Sequence, residues 1–259
     1  MLGDALLKGK NIVVMGVANK RSIAWAIAQA FNNAGANLAF TYQDERFKDK
    51  VGRLVNHEMP GSLILPCNVA KDSELDNLAM VLKEKWGTLH GMVHSLAYAK
   101  KEELAGLYAD TSREGFLLAH NISSYSLVAA AQRLYPLMSE GGSIITLTFQ
   151  GSQRVVPNYN VMGVAKASLE ASVRYLAADL GPRDIRVNAI SAGPIRTISA
   201  KGVKDFNRLL SGVEEKTPLR RLATAAEVAD TALFLATEMS RAVTGTVLHV
   251  DCGYHIMGS

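Results

Sequence analysis

The chain has 259 residues, 48% hydrophobic and 20% charged, with 28 Lys and Arg against 24 Asp and Glu for a net charge of +4. That balance is too slight, and the two signs too mixed, for a nucleic-acid partner, and no apolar run approaches the length that spans a bilayer, so no membrane segment is expected. Cys67 and Cys252 stand far apart in apolar text without metal-ligand spacing and read as two reduced, buried thiols, which suits a cytoplasmic protein.

The first residues, MLGDALLKGKNIVVMG, carry an early acid and lack a basic n-region and a small-residue cleavage site, so no targeting signal is expected. Apolar runs then alternate with helical text. Strands are predicted at 11–16, 37–42, 62–69, 91–97, 143–148, 185–191 and 246–251. Between them apolar residues recur at spacings read as three and four, as in Ile23, Ile27 and Phe31, or Leu75, Leu78, Met80 and Leu82. Continuously apolar strands separated by helices predict an α/β, doubly wound (Rossmann-like) parallel sheet of about seven strands, with helices on both faces. The length suits one domain over 1–259. The only long irregular stretch, about 192–224, has helical text at its centre and reads as a substrate-binding excursion.

After the first strand comes GVANKRSIAWAIA. A strand feeding a helix through a small-residue turn is where a dinucleotide pyrophosphate sits, because free N–H groups and the helix dipole favour an anion. The usual G-x-G-x-x-G is absent; Gly16, Ala18 and Ser22 stand in a looser arrangement, and a plain tight turn accounts for them about as well. Ser22 is placed to cap the helix or to donate to a phosphate. At the second strand's end, Gln43 and Asp44 favour the free ribose hydroxyl of NADH, whereas Arg46 is a candidate for the extra phosphate of NADPH. Asn68 and Val69, ending the third strand, are placed to meet an adenine, although a turn-forming asparagine is the plainer alternative.

Further on, YNVMGVAK sets Tyr159 and Lys166 seven positions apart, two turns along one helical face. Helical side chains lean toward the N-terminus, so Lys166 reaches back toward the phenol, and Gly163 between them is expected to leave an open place. No G-x-S-x-G elbow and no His/Cys metal spacing is found, so neither nucleophilic hydrolysis nor a metal is expected.

The segments MGVANKRSIAWAIA, TSREGFLLAHNISSYS, NYNVMGVAKASLEASVRYLAADLG, RVNAISAGPIRTISAKG and HVDCGYH together resemble the bacterial NADH-dependent enoyl-acyl-carrier-protein reductases. These form a divergent branch of the short-chain dehydrogenase/reductases, marked by six residues between Tyr and Lys where ordinary members have three. The resemblance covers essentially the whole chain. It implies reduction of the double bond of trans-2-enoyl thioesters on acyl carrier protein, with Tyr159 stabilising the enolate and Lys166 binding the nicotinamide ribose and lowering the tyrosine's pKa. It further implies Gly16, Ala18, Ser22 and Ile23 at the pyrophosphate, Gln43 at the ribose, Asn68 and Val69 at the adenine, and Ser95, Leu96 and Ala97 at the fourth strand's end. Ile195 and Thr197 would meet the nicotinamide amide. For the acyl chain it implies Tyr98, Ala99, Leu104, Phe149, Tyr159, Met162, Ser199, Val203 and Phe206, and for the acidic carrier Lys201, Lys204 and Arg208. A homotetramer is implied as well.

Two residues depart from the family pattern. Phe149 stands where a second tyrosine is usual, and Asn68 where aspartate is more common; Gln150, Ser152 and Gln153 are also unusual. A 3-oxoacyl or other carbonyl reductase, using Thr146 in place of a serine, and a catalytically silent dinucleotide-binding regulator are the two alternatives.

Overall fold

The structure, a computed structural model, describes residues 6–197 and 206–258. Its sheet comprises β1 (Asn11–Met15), β2 (Asn37–Tyr42), β3 (Leu63–Pro66), β4 (Gly91–His94), β5 (Gly142–Thr148), β6 (Ile185–Ala192) and β7 (Val247–Val250). All neighbours are parallel, in the order β3-β2-β1-β4-β5-β6-β7. The doubly wound fold is thus as expected from the pattern of apolar strands.

Period-two alternation splits each strand between two cores. Ile12 and Val14 of β1 face a core built with α1 (Ile23–Asn33), α2 (Glu45–Glu58) and α8 (Ala225–Ala236). Val13 and Met15 face the other, built with α3 (Asp72–Trp86), α5 (Ser126–Leu134) and α6 (Asn160–Leu180). A helix α4 (Arg113–His120) runs into α5 through a π-helical turn at Asn121–Tyr125. Two-sided burial is complete along β1 and β4, while the edge strands β3 and β7 are largely half-buried.

Several strands are shorter than the sequence predicts. β3 stops at Pro66 and β4 at His94, because the chain there turns out over the carboxyl edge of the sheet; the outermost rungs join Cys67 N to Tyr42 O at 2.8 Å and Ser95 N to Met15 O at 3.0 Å. This shortening positions the site. Strand order runs outward in both directions from β1 and β4, and at such a switch point the connections diverge to leave a crevice beyond the strand ends.

The excursion after β6 leaves from the same edge. Its described portion includes α7 (Phe206–Lys216) and ends in a capping box at α8. Thr224 Oγ1 accepts from Glu227 N at 3.2 Å, and Glu227 Oε2 accepts from Thr224 N at 2.8 Å. Arg221 donates to both oxygens of Glu227, at 2.6 and 3.0 Å, and this guanidinium above all holds the carboxyl at about 2.

Candidate active site

Gly16 closes the first strand at φ +99°, and a Cβ there would lie 2.0 Å from the carbonyl oxygen of Ser95 and 3.3 Å from Leu96 Cδ2. Only a glycine lets the exits of β1 and β4 approach so closely. Ser22 occupies the N-cap position of α1, but its hydroxyl donates to Asn19 O at 2.7 Å and makes no cap bond. The cap open to it in the sequence is therefore not made, and the first turn of α1 presents N–H groups without side-chain caps toward the crevice side of β1. Ala18 and Ile23, both half-buried, flank this turn. Gly16→Ala is expected to weaken NADH binding more than tenfold and to lower Tm, since the new methyl meets backbone at a left-handed φ. Fluorescence titration with NADH and a thermal melt check both; unchanged affinity would remove Gly16 from the cofactor site.

At the end of β2, Asp44 caps α2, accepting from Arg46 N at 3.0 Å and Phe47 N at 3.3 Å. It also accepts from Arg46 Nη2 at 3.0 Å, and that hydrogen bond leads the effects that lower its carboxyl pKa. Arg46 is thus paired with its own neighbour, and Gln43 stands exposed beside the pair. Asn68 Oδ1 accepts from Ala70 N at 3.0 Å while Asn68 N donates to Glu74 Oε2 at 2.6 Å, so the asparagine makes the turn that the sequence allowed. Its carbonyl keeps a second lone pair and its amide two donors, which leaves an adenine edge readable. Val69 is buried beside it.

Tyr159 stands at the N-cap of α6, half-buried, with its ring edge-on to Phe149 at a centroid distance of 5.1 Å. The space at Gly163 is not open as expected. A Cβ on Gly163 would lie 2.6 Å from Gly151 O, and one on Gly151 would lie 2.5 Å from Tyr159 Cδ1. The two glycines instead let the 150–152 turn seat between α6 and the tyrosine ring. Burial pushes the phenol above its ordinary 10, reversing the expected lowering by Lys166. A neutral phenol is a hydrogen-bond donor, which is the role expected of Tyr159.

Lys166 is 5% exposed, and its Nζ donates to Leu147 O at 2.8 Å. Desolvation lowers its ammonium to about 8, against the pull of Glu170 one turn further on. Glu170 is buried and gathers three donors: Thr148 Oγ1 at 2.7 Å, Ser152 Oγ, and Gln153 Nε2 at 3.5 Å. It holds the 150–153 turn against α6. The acid four residues after Lys166 on one helical face was the available signal for it, and the sequence reading passed over it.

His94 was missed as well. It is fully buried at the end of β4, with Nδ1 3.0 Å from Thr146 Oγ1 and Nε2 2.7 Å from Ser126 Oγ. Burial first, and Lys166 second, hold the ring at about 3, so it is neutral. Ser126 Oγ donates to Ile122 O at 2.6 Å and Thr146 Oγ1 to His94 O at 3.1 Å, so each hydroxyl that meets the ring also has a backbone acceptor. Thr146 is 0% exposed and committed to this network. It cannot replace the substrate-facing serine that the carbonyl-reductase alternative needs.

Ser95, Leu96 and Ala97 lie over the carboxyl ends of β1 and β4, and Tyr98 follows, anchored through its N and O to Ser123 Oγ at 2.9 and 3.0 Å. Tyr98 is 52% exposed, whereas Ala99 and Leu104 are half-buried, with the 101–104 turn packed against α6. Phe149 is half-buried against Tyr159, and Met162, on the first turn of α6, is buried. Beyond β6, Ile195 packs on the core and Thr197 N returns to Ile195 O at 2.8 Å. Ser199, Val203, Lys201 and Lys204 lie outside the described residues, as do the side chains of Phe206 and Arg208.

Comparison with known proteins agrees with this geometry. The sequence model of the family described as enoyl-(acyl carrier protein) reductase matches residues 16–255. The chain is 59% identical over 256 residues to the NADH-dependent enoyl-acyl-carrier-protein reductase of Bacillus subtilis, covering 96% of this chain and 97% of that protein. The crystal structure of the Bacillus cereus reductase with NADP+ and an indole naphthyridinone superposes with a TM-score of 0.96 at 58% identity, covering 98% of this chain and 100% of that one. That of Anaplasma phagocytophilum with NAD gives 0.93 at 47% identity, covering 98% and 95%. The chain belongs to the NADH-dependent enoyl-acyl-carrier-protein reductase family of the short-chain dehydrogenases/reductases.

Proposed function

We propose that Tyr159 and Lys166 carry the family's reaction in this chain: reduction of the carbon–carbon double bond of a trans-2-enoyl thioester borne by acyl carrier protein. The observation that carries this reading is the neutral, half-buried Tyr159 beside a Phe149 that has no hydroxyl, with Thr146 locked away beneath. Tyr159 is then the phenol of that pair able to meet the thioester carbonyl. Negative charge accumulates on that oxygen as the β-carbon is reduced, and a donor placed there beforehand stabilises the enolate. Lys166, held through Leu147 O, keeps further N–H donors for ribose hydroxyls.

NADH, when bound, supplies the hydride. The chain fits it: the first turn of α1 lacks a side-chain cap, which leaves its N–H groups for an anion, and Gly16 lets the exits of β1 and β4 close together beside that turn. Gly16, Ala18, Ser22 and Ile23 would hold its pyrophosphate, Gln43 the adenosine ribose, and Asn68 with Val69 the adenine. Ser95, Leu96 and Ala97 would line the groove, and Ile195 with Thr197 would orient the amide. The Asp44–Arg46 pair supports NADH over NADPH, because a ribose phosphate would have to compete for that arginine.

Tyr98, Ala99, Leu104, Phe149, Met162, Ser199, Val203 and Phe206 are proposed to surround the acyl chain, within one domain whose 192–224 excursion covers the substrate. The departure of that excursion from the carboxyl edge of β6 supports this. A homotetramer is proposed, supported by exposed apolar side chains on the α4-to-α6 side: Leu117 (60%), Tyr125 (50%) and Tyr175 (76%). A cytoplasmic setting is proposed on the two free, buried cysteines, and no helix among the described residues is long and apolar enough to cross a membrane.

The test is loss of NADH absorbance with a trans-2-enoyl thioester and, in parallel, a 3-oxoacyl thioester, each repeated with NADPH. Oxidation of NADH by the enoyl substrate alone is expected, from a species of tetramer mass by light scattering that fractionates with the cytoplasm. Silence on all four with NADH still bound would instead favour the regulator reading, a monomer mass would remove the tetramer, and recovery outside the cytoplasm would remove that setting.

A further inference from the structure

We propose that His249, Asp251 and His255 form a binding site for a divalent transition-metal ion at the carboxyl end of β7. His249 lies on β7, and Asp251 directly follows the strand's last residue, Val250. Cys252 (φ 58°) and Gly253 (φ 85°) then reverse the chain, and Asp251 fixes the turn by accepting from Gly253 N at 3.0 Å and His255 N at 2.8 Å. The reversal lays the His255 ring on that of His249, with centroids 3.9 Å apart and planes 10° from parallel. His255 Nδ1 lies 3.0 and 3.1 Å from the two oxygens of Asp251.

One ligand atom from each of the three residues lies within 4.8 Å of the others. A tetrahedral ion with bonds of about 2.0–2.1 Å sets its ligand atoms about 3.3 Å apart, so the two rings must turn out of their parallel stack to bring their nitrogens onto one ion. His249 supplies a second, independent observation. Its Nδ1 is buried and has no hydrogen-bond partner among the described residues, an uncommon state for a ring nitrogen, and one that a metal bond would satisfy. Asp251 is itself 5% exposed, so its charge is little screened, and the Glu170 carboxylate adds negative potential at His249. Two imidazoles and one carboxylate suit Zn²⁺, Co²⁺ or Ni²⁺ over Mg²⁺ or Ca²⁺, which prefer all-oxygen shells.

The site is structural by its position. The turn it closes runs on to Met257, whose carbonyl accepts from Arg154 beside the 150–153 turn, so an ion at β7 would tie the C-terminal segment to the sheet edge next to α6. None of the three residues belongs to the proposed catalytic or cofactor machinery.

The experiment uses the full chain without an affinity tag, stripped by chelating resin and titrated with Zn²⁺ alone by calorimetry, and with Co²⁺ followed by visible absorption. One ion per chain is expected, with a four- or five-coordinate Co²⁺ spectrum and a Tm that rises with ion concentration. His249→Ala is expected to weaken binding at least tenfold. His255→Asn, which retains a side-chain N–H for Asp251, is expected to keep the metal-free Tm within a few degrees and also lose the ion. Turnover of the enoyl thioester should be unchanged in both. Undetectable binding of Zn²⁺ to the stripped chain, or the same stoichiometry and affinity in both variants, overturns the proposal.

Discussion

Tyr159→Phe is expected to lower kcat on a trans-2-enoyl thioester by about 10²- to 10³-fold, the usual consequence of removing one donor to a developing oxyanion. The argument rests on what the substitution leaves in place. The ring remains, with its edge-on contact to Phe149 at 5.1 Å and its seat beside Gly151, so the fold of the 150–152 turn should persist. The hydroxyl is lost, and Phe149 offers none to replace it. Affinity for NADH should be nearly unchanged, because Lys166 and the Gly16 turn are untouched. Stopped-flow or steady-state turnover with a parallel NADH titration separates the two effects. Near-normal turnover would falsify the assignment of Tyr159 as the enolate's donor. Phe149→Tyr in the same background tests whether a phenol from the neighbouring position can substitute: partial rescue is expected if the two rings face one carbonyl. The phenol's pKa, raised by burial, adds that no alkaline loss of activity should come from Tyr159 below about pH 10.

The doubly wound sheet was legible because buried parallel strands declare themselves as unbroken apolar runs, and Ile12/Val14 against Val13/Met15 needed only the period of two to be sorted between two cores. The strand ends were less legible. Nothing in SLILPCNV or GMVHSLA says where the chain leaves the ladder, since apolar residues continue past Pro66 and His94 into the groove. The Tyr159–Lys166 pair was visible as a spacing, yet the meaning of Gly163 was not, because it depends on Gly151, a residue brought alongside only by β5. The same holds for His94, whose partners Thr146 and Ser126 lie 52 and 32 residues away. The desolvation that raises the tyrosine pKa is a property of the packed site and has no local signature. His249, Asp251 and His255 follow no familiar ligand spacing, and only the left-handed turn at Cys252 and Gly253 makes neighbours of them.

Replacing Lys166 with methionine is expected to weaken NADH binding by about 10²-fold, the scale of losing charge-assisted hydrogen bonds to two ribose hydroxyls, and to change stability in a pH-dependent way. The ammonium is buried, with Leu147 O as its acceptor, His94 neutral below it and Glu170 as its nearest countercharge. Its pKa is about 8 in the folded chain against 10.5 for the ordinary group. Between those values the unfolded chain holds a proton that the folded chain has released, so wild-type stability rises with pH across about pH 8 to 10.5. Below pH 8 both states are protonated, and the desolvation penalty on the buried cation is fully present. The methionine variant carries neither the charge nor the slope. It leaves Leu147 O without this donor at every pH, a roughly constant loss. The difference in Tm, wild type minus variant, should therefore grow more positive from pH 7 to pH 10. A difference that stays flat across that range would mean that Lys166 does not titrate there. NADH affinity of the wild type should also decline as pH rises through about 8, while the residual affinity of the variant should not. An affinity that holds constant in the wild type would assign the ribose contact to the amine's N–H groups alone, independent of its charge.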